Sequence, residues 1–122
     1  QELILQPQSD IPHFRRFVMQ NGYQIIQEEM ILEEGKFYPI MKAVQYEGEG
    51  SAVWSREEEM FGRLLLERKH PVLKLYLERE LRIRSEISEQ LESASGDAAK
   101  KRRMEVEEEK QLILTALKRY ES

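Results

Sequence analysis

The side chains in this sequence with chemistry to offer are two histidines, a group of glutamates, one amide-bearing turn and three basic groups; cysteine is absent. Spacing decides what each can do. His13 and His70 have no second histidine or paired carboxylate at ligand spacing, so the pattern supports neither a metal centre nor an acid–base pair. Without cysteine, disulfides and thiolate metal sites are excluded. Glu28, Glu29, Glu33 and Glu34 are grouped as a catalytic carboxylate set would be, but they read as solvated strand and turn positions. Gln6-Pro7-Gln8 closes a short apolar run, at the strand end where open α/β sheets bind ligands. Arg15 and Arg16 fall on the polar side of the next helix, within reach of phosphate or simply solvated. Two further basic clusters, Arg79-Arg82-Arg84 and Lys100-Lys101-Arg102-Arg103, carry the charge that phosphate contacts use. Glu78, Glu80, Glu86, Glu89 and Glu92 are interspersed with the first, and 105–109 is almost wholly acidic, which equally suits an exposed, solubilising helix surface.

The elements that must position these residues begin at Leu3. Leu3-Ile4-Leu5 suits a strand buried on both faces, as in the middle of a parallel sheet. Asp10 predicts a helix cap with Pro12 in the first turn, and Phe14, Phe17 and Val18 an apolar stripe. Asn21-Gly22 stops that helix. Tyr23–Ile26 and Phe37–Met41 follow as strands across the polar stretch Leu32–Lys36. Strand, crossing helix and returning hairpin is how the last third of many doubly wound α/β domains is built. Tyr46–Ser51 opens a linker, taken as 47–54. Ser55 and Glu58 form a capping box for a helix interrupted at Gly62 and broken at Lys69-His70-Pro71. One long helix is expected from Val72 to about Ala94, a turn at Ser95-Gly96-Asp97, and a second helix from about Ala98 to Tyr120. Ala99, Arg102, Val106, Glu109, Ile113, Ala116 and Tyr120 step by threes and fours, the coiled-coil spacing, and two of the seven are charged. So short a turn folds the pair back as an antiparallel hairpin.

The 122 residues carry 34 % charged and 40 % hydrophobic side chains and a net charge of −4. That balance argues for a long solvated helical part, and against non-specific nucleic-acid binding by the whole chain. No apolar run approaches a membrane span and no signal peptide opens the chain, so a cytoplasmic protein without a membrane partner is expected. The chain starts at Gln1 and enters a buried-type strand after two residues, with too little around that strand to cover it. We therefore expect the C-terminal fragment of a larger protein; a complete small α+β domain is the alternative. Exposed sheet edges or the helical hairpin would favour self-association.

Glu2-Leu3-Ile4-Leu5-Gln6-Pro7, Arg15-Arg16-Phe17, Asn21-Gly22-Tyr23-Gln24-Ile25, Glu28 and Glu34-Gly35-Lys36-Phe37-Tyr38 occur in that order and spacing. The set resembles the corresponding part of the bacterial tRNA (adenine-N1)-methyltransferases that modify adenine 22. Phe61-Gly62, Leu64-Leu65-Leu66 and the helical pair fit the same layout. One departure is Pro39, where that family more usually has an acid after the tyrosine.

The resemblance implies a Rossmann-like domain binding S-adenosylmethionine, followed by a coiled coil. This chain would then hold the last strand-helix-strand-strand portion in 1–46 and the helical part in 55–122, an α+β fragment. It has no glycine-rich strand-to-helix turn, and Gly48-x-Gly50 does not sit between a buried strand and a helix. The fragment is expected to bind no S-adenosylmethionine and to catalyse nothing alone, while the parent protein uses that cofactor and tRNA. Gln6, Pro7 and Gln8 become pocket candidates, with Gln6 addressing a purine edge. Arg15, Arg16, Arg79, Arg82, Arg84, Lys100, Lys101, Arg102 and Arg103 become tRNA candidates. The competing function is a non-enzymatic interaction module whose hairpin docks a partner through Leu73, Leu77 and Ile113.

Overall fold

A computed structural model of the protein describes residues 2–7, 10–46, 48 and 53–121. The element order is β1 (Glu2–Leu5), α1 (Ile11–Gln20), β2 (Tyr23–Glu33), β3 (Lys36–Gln45), α2 (Arg56–Phe61), α3 (Arg63–Glu67), α4 (Pro71–Glu92) and α5 (Asp97–Lys118). The chain divides into two compact units after Leu73. The short helices α2 and α3 therefore belong with the sheet, and a division at residue 55 would cut through their contacts to α1 and β2. The expected 47–54 linker lies largely outside the described residues.

In the first unit the strand order is β1-β3-β2, and both outer strands are antiparallel to β3. β1 and β2 consequently run in the same direction, joined by the crossing helix α1. The expected strand–helix–strand crossover is present, but the returning strand inserts between its two strands. The parallel pairing expected for β1 is thus replaced by an antiparallel ladder with β3, and Ile4 is 76 % exposed.

β2 and β3 are longer than their apolar cores suggested because the hairpin turn needs only two residues. Glu34 (φ 51°) and Gly35 (φ 78°) are both left-handed, the backbone that matches strand twist in a two-residue loop. Pro39 is tolerated in the central strand because β1 ends opposite Met41, leaving β3 a neighbour on one side only at that point.

On β3, Pro39, Met41 and Ala43 are buried; opposite them on β2 stand Met30, Glu28 and Ile25. A β-bulge between Ile25 and Gln27 slips the phase of β2 by one residue. That slip brings Glu28 onto the same face as Ile25 and Met30. Val18 of α1 packs with Ile25, Met41 and Ala43, and burying each larger side chain contributes about 1.5–3 kcal/mol.

Asp10 enters α1 in the left-handed conformation and its side chain caps nothing. The inward stripe is Ile11, Phe14, Arg15 and Val18, while Phe17 is 54 % exposed. The expected capping box is present: Ser55 Oγ accepts from Glu58 N at 3.3 Å, and Glu58 Oε1 from Ser55 N at 2.8 Å.

In the second unit, Leu77, Val106, Ile113 and Ala116 are buried. Arg84 Nε donates to Glu109 Oε1 at 3.1 Å and Ser88 Oγ to Glu107 Oε1 at 2.8 Å. The pairing descends along α5 as it ascends along α4, so the two helices run antiparallel here. The two charged core-type positions satisfy each other: Arg102 Nη1 lies 3.2 Å from Glu109 Oε2. Half-buried Tyr120 has its phenol pushed up to about 12 by desolvation.

Candidate functional site

At the end of β1, Gln6 is exposed and Pro7 half-buried; Gln8 lies outside the described residues. β1 stops opposite Met41, whereas the β2–β3 hairpin continues to Glu33 and Lys36. The hairpin tip therefore overhangs the edge of the sheet that carries Gln6.

Arg15 does not face solvent. It is buried, as is Glu28, with Arg15 Nε donating to Glu28 Oε2 at 2.9 Å. Arg15 Nη1 also donates to the carbonyls of Glu59 (2.9 Å) and Met60 (2.8 Å), near the C-terminus of α2. Glu28 Oε1 accepts from the amide of Leu64, at the N-terminus of α3, at 3.0 Å. The guanidinium thus meets orphan carbonyls of one short helix and the carboxylate an orphan amide of the next. The helix break at Gly62 lies between them: its φ is +102°, and a Cβ there would stand 2.8 Å from Glu28 Oε2 and 2.9 Å from Arg15 Nη2. Burial takes Arg15 out of the phosphate candidates and Glu28 out of a solvated carboxylate set.

The remaining glutamates separate. Glu29 Oε1 accepts from Arg68 Nη2 at 2.9 Å and lies 3.0 Å from His70 Nε2. Arg68 Nη2 also donates to the carbonyl of Glu28 at 2.8 Å. His70 Nδ1 accepts from the amide of Val72 at 3.2 Å, so the neutral ring carries its proton on Nε2 and donates it to Glu29. His70 is a side-chain cap on the first turn of α4, with Pro71 behind it. The Arg68 hydrogen bond, ahead of its charge and of the His70 contact, holds the Glu29 carboxyl below the usual carboxylate range. Glu33 and Glu34 are exposed at the hairpin tip. Among the described residues no group of three or more His, Cys, Asp or Glu is placed to hold a metal ion.

The basic residues also sort by partner. Exposed Arg16 pairs with Glu59 through Nε at 3.1 Å, which raises its pKa through that hydrogen bond and charge. Arg79 stacks 5.8 Å from the Tyr76 ring centroid and reaches Glu80. Arg84 bridges Glu80 (2.8 Å) and Glu109 (3.1 Å), and Arg102 bridges Glu105 (3.3 Å) and Glu109 (3.2 Å). Arg82, Lys100 and Lys101 are exposed. Arg103 is half-buried beside a shallow cavity of about 460 Å³ that Ser88, Glu92 and Met104 also line.

The model of the tRNA (adenine(22)-N(1))-methyltransferase family matches residues 1–115. The chain belongs to that family. No curated protein matches it. Among solved structures it is similar to an uncharacterized protein of Listeria monocytogenes serotype 4b, at TM-score 0.86 and 24 % identity, covering 95 % of this chain and 50 % of that one. The B. subtilis m1A22 tRNA methyltransferase TrmK aligns with TM-score 0.78 and 24 % identity, covering 95 % and 51 %. A Streptococcus pneumoniae putative tRNA (m1A22) methyltransferase in complex with S-adenosyl-L-methionine aligns with TM-score 0.70 and 28 % identity, covering 95 % and 47 %. The chain thus spans about half the length of these structures.

In this family member the connection from β1 to α1, residues 6–10, contains no glycine. Of its described glycines, Gly22 ends a helix, Gly35 turns the hairpin, Gly62 breaks α2 from α3, Gly96 precedes α5, and Gly48 lies in the connection from β3 to α2. Residues 6–10 do not fit an S-adenosylmethionine cradle, which needs close backbone approach at a glycine-bearing strand-to-helix turn. Sequence reasoning missed the Arg15–Glu28 pair and the His70 cap. The first was readable from Ile11, Phe14, Arg15 and Val18, a complete i, i+3, i+4, i+7 face with arginine on it.

Proposed function

We propose that this segment is the C-terminal part of a bacterial, cytoplasmic, S-adenosylmethionine-dependent tRNA adenine-N1 methyltransferase, and that its helical hairpin helps hold the tRNA. The reading rests on the family match over residues 1–115, in a chain spanning half of each aligned structure. The cofactor supplies an electrophilic methyl group when bound; its cradle lies outside these residues. What this chain contributes is placement. Gln6 and Pro7 border the pocket for the target base at the ligand-binding edge of the sheet, and Gln8 follows them in sequence. The reacting N1 lone pair must stay free, so a glutamine amide serves by addressing the N6/N7 edge of adenine.

α4 and α5 pack as an antiparallel coiled coil around Leu77, Val106, Ile113 and Ala116, and exposed basic residues on this pair contact tRNA phosphates. Segments isolated at Gln1 self-associate through the β1 edge, where Ile4 is bare. The test is methyl transfer to tRNA by the full-length protein and by a version ending before residue 74. Transfer by the first and a raised KM for tRNA in the second are expected; no transfer by the full-length protein overturns the reading.

A further inference from the structure

Resting on that reading, the basic residues of the hairpin divide into two jobs. We propose that Lys100 and Lys101 are its phosphate-contacting residues, and that Arg79, Arg84 and Arg102 are framework. The distinction is one of partners. Arg84 and Arg102 converge on the two oxygens of Glu109, tying α4 to α5, and each has a second glutamate as well. Arg79 is half-buried over the Tyr76 ring. A guanidinium already satisfied by two carboxylates gains little from a phosphate, because it must give up one ion pair to make the other. Lys100 and Lys101 are exposed, and none of the described carboxylates lies at ion-pair distance from either ammonium.

Arg82 is exposed too, and Glu78 and Glu86 flank it four residues away on each side, as Asp97 and Glu105 flank Lys101, the spacing at which helix side chains meet. At about 100° per residue, Lys100 and Lys101 straddle the side of α5 opposite buried Val106, with Met104 between them. The pair also breaks a local rule. Cations early in a helix oppose its dipole, and Lys100 and Lys101 follow closely on the start of α5, where Asp97 is the acid of the first turn. Backbone phosphates are the ligand chemistry that two adjacent, mobile, fully hydrated ammonium groups suit, since they attract charge without requiring fixed geometry.

The experiment is tRNA binding by the full-length protein across a salt series, for the wild type, K100A/K101A and R84A. Each phosphate contact contributes close to one unit to the slope of log K against log salt. K100A/K101A is expected to weaken binding about ten-fold at low salt and to flatten the slope by about 1.5–2. R84A is expected to keep the wild-type slope and to lower the melting temperature. An unchanged slope in K100A/K101A, with normal helix content, overturns the assignment while leaving the methyltransferase reading intact. Absence of tRNA binding by the wild type would instead remove the reading on which it rests.

Discussion

Arg15 Nε and Glu28 Oε2 meet at 2.9 Å inside the first unit, and both side chains are only 1 % exposed. Between them they also engage three backbone groups, the carbonyls of Glu59 and Met60 and the amide of Leu64. Removing one partner leaves the other charge buried, which costs about 3–5 kcal/mol. Arg15→Ala and Glu28→Ala should each lower unfolding free energy by that order in a urea titration. An apolar double replacement often restores stability at a buried ion pair. Here R15M/E28M should not, because each stranded backbone group costs a further 1–3 kcal/mol or so. A double variant as stable as wild type would show that the backbone contacts are incidental.

Gly62 makes that pair possible. Its φ of +102° disfavours any side chain, and an added Cβ would press on Glu28 Oε2 at 2.8 Å and Arg15 Nη2 at 2.9 Å. Gly62→Ala should destabilise by about 2–3 kcal/mol, combining backbone strain with displacement of the ion pair. Since the two effects share partners, G62A and E28Q should be non-additive in a double-mutant cycle. Additive losses would mean that the clash is relieved elsewhere.

How far the sequence carried this structure follows from which signals are local. The helix ends at Gly22 and Pro71, the capping box at Ser55 and Glu58, and the two long helices rest on residues within a few positions of each other. They were legible. The order β1-β3-β2 was not, because Leu3-Ile4-Leu5 reads alike in parallel and antiparallel sheets. Glu28 looked solvated because a period-two reading from Ile25 puts it on the outer face; only the bulge between Ile25 and Gln27 turns it inward. The five-residue gap between Ile25 and Met30 does carry that phase slip. Among the site residues, types and positions were readable but partners were not. Nothing near Arg84 in sequence points to Glu109, twenty-five residues on.

His70 fixes the first turn of α4 by accepting from the Val72 amide, while Glu29 holds the other ring nitrogen. Loss of a side-chain cap costs on the order of 1 kcal/mol. His70→Ala should cost about that much and speed hydrogen exchange at the Val72 amide, whereas His70→Asn, a good cap, should restore most of the protection. Unchanged exchange at Val72 in the alanine variant would show that solvent replaces the cap without loss.

Glu29 gives the first unit a defined acid response. Its folded-state pKa lies below the ordinary 4.5, because the charged carboxylate accepts from Arg68 and, secondarily, from His70. A depressed pKa means that the unfolded chain binds the proton more readily. The stabilisation is therefore complete above 4.5 and is lost as pH falls below that value through the folded pKa. The carboxylate is 42 % exposed, so solvent screening keeps the contribution within the ordinary surface-pair range of about 0–1 kcal/mol. Glu29→Gln keeps a hydrogen-bond acceptor but cannot titrate. Its urea midpoint should fall short of wild type at pH 7, and the difference should shrink as pH drops below 4.5. A gap that persists unchanged at pH 3 would assign the loss to packing of the glutamine rather than to the charge.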